Sequence, residues 1–127
     1  MRELIVPLAS REAADAERFG PKAANLARLG HAGLPTPGGF CVDAQAYREQ
    51  LAALGLGSMA IAVDSDDAAT ARRAALAMKL ALMDKPIATP IAGPLVAAWY
   101  QLAFESGAPL VVRSSALVED RFGASFA

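Results

Sequence analysis

An α+β fold, a small sheet with about four helices, follows from three features of this 127-residue sequence. Alanine contributes 30 residues and the aromatic types only 8, a balance that favours helix over sheet. Runs of branched apolar residues are short, as in Ile5-Val6, Phe40-Cys41-Val42 and Leu110-Val111-Val112, leaving room only for brief strands. Between them lie longer stretches in which apolar residues recur at helical spacing. The chain length suits one domain, or a piece of one.

The elements can be taken in order. "ELIVPLAS" reads as a first strand, ended around Pro7 and Ser10. After a polar, acidic stretch Gly20-Pro21 opens a helix, since proline at the first helical position lacks only an N–H that would have no partner there. Leu26 and Leu29 supply its inward stripe, and Gly30 or Gly33 stops it. "LPTPGGF" is a turn-dense connector into the strand Phe40-Cys41-Val42, after which Asp43 caps a second helix. There Tyr47, Leu51 and Leu54 share the packing face, Arg48, Glu49 and Gln50 point elsewhere, and Gly55 ends the helix.

The acidic run at 64–67 suits the positive end of an alanine-rich third helix, with Ala71, Ala74, Ala75, Met78 and Leu82 inward. It lacks the alternating spacing and turn glycine of a calcium loop. Thr89-Pro90 starts a fourth helix whose Ile91, Leu95, Trp99 and Leu102 meet one surface, with Gly107 closing it. Trp99, Phe104, Met78 and Met83 read as core, and "PLVVRSS" as a last strand with Val111 and Val112 buried.

Charge and composition exclude several roles. With 12 basic and 13 acidic residues well mixed and a net charge of -1, the chain has no electrostatic footprint for a nucleic acid or an anionic membrane. No apolar run is long enough to span a bilayer, and the N-terminal one is too short for a leader, so a cytoplasmic location is expected. Cys41 is the single cysteine, which rules out an internal disulfide or a cysteine metal cluster and points to a buried structural thiol. His31 is the single histidine, so neither a Ser-His-Asp set nor a histidine-rich metal site can be assembled. It reads as a surface residue at the negative end of the first helix.

Two places carry residues suited to chemistry. Lys22 follows Gly20-Pro21 at a helix start, where free N–H groups and the positive dipole end attract phosphate or carboxylate. Arg113 rides on the apolar run 110–112, and its partners are either the internal carboxylates Glu119 and Asp120 or the oxygens of an anionic ligand. The small-residue loop Gly123-Ala124-Ser125 has backbone N–H groups able to wrap phosphate, without the spacing of a known glycine fingerprint.

"GPKAANLARLGHAGLPTPGGFCVDAQAYREQL" followed by "VVRSSALVEDRFGASFA" resembles the start of the nucleotide-binding domain of phosphoenolpyruvate synthases and pyruvate, phosphate dikinases. Rifampicin phosphotransferases are similar over the same stretch. The resemblance implies the N-terminal part of an ATP-grasp-like domain, with residues 1–127 its first subdomain, ending before a second. It implies ATP as ligand, with Lys22 and Arg113 on its phosphates and Gly123, Ala124 and Ser125 at the start of a lid. Mg2+ is implied as well, its ligands lying on the second subdomain, and a further domain, on the same or an adjacent polypeptide, would carry a phosphorylated histidine. The function implied is ATP-dependent phosphoryl transfer to pyruvate or a related acceptor, with this chain inactive on its own. The alternatives are a non-catalytic interaction module, whose uncovered face would favour self-association, and the start of a rifamycin-type phosphotransferase. Two places depart from the family pattern: Pro21 stands where a second glycine is usual, and the turn Thr36-Pro37-Gly38-Gly39 is a mild variant of the usual one.

Overall fold

A computed structural model describes residues 2–115. They form two compact units, one made of the residues up to Gln45 together with those from Gly93 onward, the other of Ala46–Ala92. The fold is α+β, with five α-helices, one 3-10 helix and a two-stranded sheet among the described residues.

In the first unit β1 (Ile5–Pro7) pairs antiparallel with β2 (Phe40–Val42), in the register Ile5↔Val42, Val6↔Cys41 and Pro7↔Phe40. Side chains alternate across a strand, so the central residue of each, Val6 and Cys41, is buried while its neighbours are not. A 3-10 turn, Arg11–Ala14, leads into α1 (Ala16–His31), and Val6, Ala13, Phe19, Ala23, Ala27 and Cys41 close into one core. The Cys41 thiol donates to the Val6 carbonyl at 3.4 Å. Burial pushes its pKa up to about 11; the nearby Asp43 charge adds to this and Arg18 opposes it. It is therefore an inert thiol at neutral pH, as expected of a buried strand cysteine.

Asp43 caps α2 (Ala44–Ala53) as expected, its Oδ1 accepting from the Gln45 N–H at 2.8 Å. Its other oxygen takes the Arg18 Nε–H at 2.7 Å and lies 3.3 Å from Arg2 Nε. Arg18 also donates to Glu12 at 3.0 Å and to the Glu3 carbonyl at 2.9 Å, and its guanidinium stacks 4.7 Å above the Phe19 ring. One charged cluster thus ties the N-terminal strand, the 3-10 turn, α1 and the start of α2.

The second unit contains α3 (Gly57–Val63), α4 (Ala68–Asp84) and the first residues of α5 (Thr89–Ser106). Its core is Leu51, Leu56 and Met78, flanked by Leu54, Ala60, Val63, Ala81 and Leu82. The sequence does not announce α3: Leu56 at its N-cap has no side-chain acceptor, and the helix holds through packing on α4. Helix α4 begins after Asp67 as the acidic run suggests, and Asp67 accepts from the Thr70 hydroxyl at 2.5 Å.

Gln50 corrects the expected face of α2. It is only 8% exposed, its amide donating to the Pro86 carbonyl at 3.0 Å while its oxygen accepts from the Ala88 N–H at 2.8 Å. The reason is the connector between α4 and α5, whose backbone groups need partners that no helix supplies. Gln50→Leu should therefore cost about 2 kcal/mol in urea unfolding despite its greater apolarity, because two backbone groups lose their bonds. A neutral or stabilising result would show that water replaces the side chain without cost.

Other expected core residues lie outside. Trp99, Met83 and Tyr47 are exposed, and Phe104 is 90% exposed, because apolar helical spacing buries a stripe only where another element covers it. Residues 110–112 form no strand; Val111 and Val112 are 77% and 81% exposed, there being no partner backbone beside them among the described residues. No single described helix is long and apolar enough to cross a membrane.

Candidate functional site

Helix α1 begins one turn earlier than Gly20-Pro21 suggests. Asp15 caps it, accepting from the Glu17 N–H at 3.0 Å, and the helix breaks at Gly20, where φ is 82° and ψ 162°. Pro21 then restarts it. Lacking an N–H, Pro21 cannot bond the Glu17 carbonyl, and its fixed φ suits a first helical position. A glycine at the restart has no side-chain oxygen, so this N-terminus cannot cap itself.

Ser115 supplies the cap from 92 residues away. Its hydroxyl accepts from the Ala23 N–H at 3.4 Å and donates to the Phe19 carbonyl. In an unbroken helix those two backbone groups would bond to each other. The hydroxyl thus stands in for one rung of the helical ladder, a recognised origin of helix kinks. Backbone follows side chain into the gap: a Cβ built on Gly20 would lie 2.6 Å from Ser115 Oγ and nearer still to the Ser115 carbonyl oxygen.

This anchor determines where the two cations fall. Arg113 precedes Ser115 by two residues, so its Cα lies within about 7 Å of that of Ser115, and Lys22 is next to Ala23. The far-separated halves of the sequence therefore meet at one helix start. Lys22 and Arg113 are both exposed. Arg113 makes no carboxylate pair among the described residues, and its exposure removes the need for one that burial would have imposed. Glu119, Asp120 and the loop Gly123, Ala124 and Ser125 lie outside the described residues. One expectation is corrected: the Ala23 N–H at the helix start is already bonded to Ser115 and is not free for an anion.

Other features of this unit suit phosphate less well. The Arg18 guanidinium is spent on Asp43, Glu12 and the Glu3 carbonyl. A groove of about 650 Å3 runs between the proline-rich turn 34–40 and the Ala98–Glu105 face of α5. Its wall is mostly apolar, includes Glu105 and has no lysine or arginine among the described residues, so a triphosphate would meet a carboxylate there without a full positive charge from them. His31, at the groove's edge, is exposed at the end of α1 as expected, with Nε2 3.2 Å from the Ala9 carbonyl. Among the described residues no three histidine, cysteine or acidic side chains come together as a metal-binding group.

Ser115 is the residue that sequence reasoning missed. Its signal was an absence: a Gly-Pro helix start with no serine, threonine or aspartate at the cap calls for an acceptor from elsewhere.

Comparison with known proteins completes the picture. The family described as "Pyruvate phosphate dikinase, AMP/ATP-binding domain" matches residues 16–127. A phosphoenolpyruvate synthase from Neisseria meningitidis serogroup B (strain ATCC BAA-335 / MC58) is 36% identical over 124 residues, covering 89% of this chain and 16% of that protein. The prodigiosin synthesizing transferase PigC of Serratia marcescens is 36% identical over 124 residues, covering 98% of this chain and 13% of that protein. The chain thus spans less than a fifth of the length of either relative. No solved structure matches it.

Proposed function

The chain belongs to the pyruvate phosphate dikinase AMP/ATP-binding domain family, and from that premise we propose that it forms one wall of an ATP site in an ATP-dependent phosphotransferase of the phosphoenolpyruvate synthase kind. Lys22 and Arg113 hold the phosphates. A flexible ammonium and a rigid guanidinium fork neutralise a polyphosphate in complementary ways, and phosphoryl transfer depends mainly on such positioning and neutralisation. The observation that carries this reading is the pair of bonds from Ser115 to Phe19 and Ala23, which closes the sequence gap between the two cations.

The remaining parts rest on resemblance and on the names of the relatives. They are an ATP-grasp-type second subdomain, a histidine on another domain that carries the phosphoryl group, and pyruvate, a related compound or a rifamycin as acceptor. Mg2+ belongs to the same proposal. The described residues do not bring together a ligand set for it. A chain with one wall of the site binds nucleotide weakly and does not turn over alone.

Titration of the 127-residue chain with millimolar ATP, followed by amide NMR, tests the proposal. Shifts should concentrate at residues 20–23 and 113–115, and Lys22→Ala and Arg113→Ala should each weaken binding about fivefold or more. Arg113 is exposed, so Arg113→Ala should change the unfolding free energy by less than about 0.5 kcal/mol. The thermal shift should stay well below the ~2.7 kcal/mol conferred by a ligand at a hundred times its Kd. Shifts gathered in the groove beside residues 34–40, or indifferent to both substitutions, would overturn the assignment. The second reading, a non-catalytic interaction module, is favoured by the exposed stripe Val96, Tyr100 and Phe104 on α5 and predicts no ATP response at all.

A further inference from the structure

We propose that Ser115 is the positioning residue of this anion site, its hydroxyl holding the Arg113 segment against α1 at the kink beside Lys22; the role rests on the phosphate reading of Lys22 and Arg113. Three features of the kink support it. Gly20 offers no cap, Pro21 offers no N–H, and a rung that would cross the break, Ala23 N–H to Phe19 carbonyl, is replaced by the serine hydroxyl on both sides. The bare Cα of Gly20 admits the Ser115 backbone where any side chain would collide with it. The contact is thus shaped from both partners, by a glycine on the helix and a hydroxyl on the segment.

Little else among the described residues secures this segment. Val111 and Val112 are exposed without a strand partner, and neither Ser114 nor Arg113 is buried. Ordering a flexible guanidinium at the moment of binding lowers affinity, and a segment pinned two residues away from it has less freedom left to lose. Ser115 therefore acts on the ligand through Arg113 without touching it.

The test uses the whole chain, amide hydrogen exchange and titration with inorganic tripolyphosphate. Ser115→Ala should speed exchange of the Ala23 amide about tenfold and weaken tripolyphosphate binding about fivefold, equivalent to ~1 kcal/mol. In an Arg113→Ala background the same change should alter affinity by less than twofold, because no guanidinium remains to be positioned. An equal loss in both backgrounds would reduce Ser115 to a structural cap, and unchanged Ala23 exchange would show that the bond does not form. If Arg113→Ala and Lys22→Ala leave tripolyphosphate affinity untouched, the phosphate reading itself fails, whereas loss with those two but not with Ser115→Ala sinks only the role of the serine.

Discussion

Gly20→Ala should destabilise the chain by about 3 kcal/mol, although it adds a single methyl group. Two costs combine. At φ 82° and ψ 162° the residue occupies a region of backbone space that is essentially reserved for glycine, and a side chain there costs about 1–3 kcal/mol. The added Cβ would also sit 2.6 Å from Ser115 Oγ and 2.8 Å from its carbonyl carbon. Relief requires the 115 segment to move away, which strips the Ala23 N–H and the Phe19 carbonyl of their partner. Urea unfolding of wild type and variant measures the loss, and amide spectra of residues 111–115 should show the segment released. A cost below about 1 kcal/mol would mean that helix and segment are not in contact in solution.

Asp43→Ala should cost a similar amount, about 3 kcal/mol, by a different route. The carboxylate is 1% exposed and joins three partners: Arg18, Arg2 and the Gln45 N–H. Removing it leaves a largely buried Arg18 guanidinium with only Glu12 as counter-charge and uncaps α2, and breaking one side of a buried pair is far more costly than the pair is stabilising. Asp43→Asn, which keeps an acceptor for the cap, should lose less.

The same residue gives a pH signature. Burial alone would raise the Asp43 pKa, but the Gln45 N–H, the Arg18 bond and the charges of Arg2 and Arg18 outweigh it and hold the pKa below its usual value. The folded state therefore favours the ionised form. Asp43 contributes its full stabilisation above the unfolded-state pKa of about 4, and the contribution is lost as pH falls through the lower folded value. Wild type should weaken steeply on acidification below about pH 4, and Asp43→Asn more gently. Parallel pH profiles for the two proteins would show that the cluster is not the acid-sensitive element.

Much of the local structure was legible in the sequence because its causes are local. Asp43 caps α2, the acidic run precedes α4, Cys41 is buried at the centre of a strand, and Gly33 and Gly107, with φ of 85° and 61°, follow the ends of α1 and α5. Each depends on residues within a turn of one another. Errors arose where a local signal had a distant cause. Gly20-Pro21 marks a helix start by every neighbouring rule, yet it is a kink, since Asp15 caps a turn before it and Phe19 buries that turn in the core. Gln50 looked polar and outward until the connector at Pro86 and Ala88 required its amide.

The sequence by itself determined the mixture of short strands and alanine-rich helices, the family membership carried by its motifs, and the two basic side chains worth testing. Only the tertiary structure decided what lies beside what: that a serine 92 residues away bridges the kink beside Lys22, and that Val111 and Val112 are left without a strand partner among the described residues. Propensity, capping and turn chemistry act over a few residues and can be read in order along the chain. A hydroxyl filling a gap in a distant helix depends on loop closure and on the space a missing Cβ leaves, and neither is written at any one position.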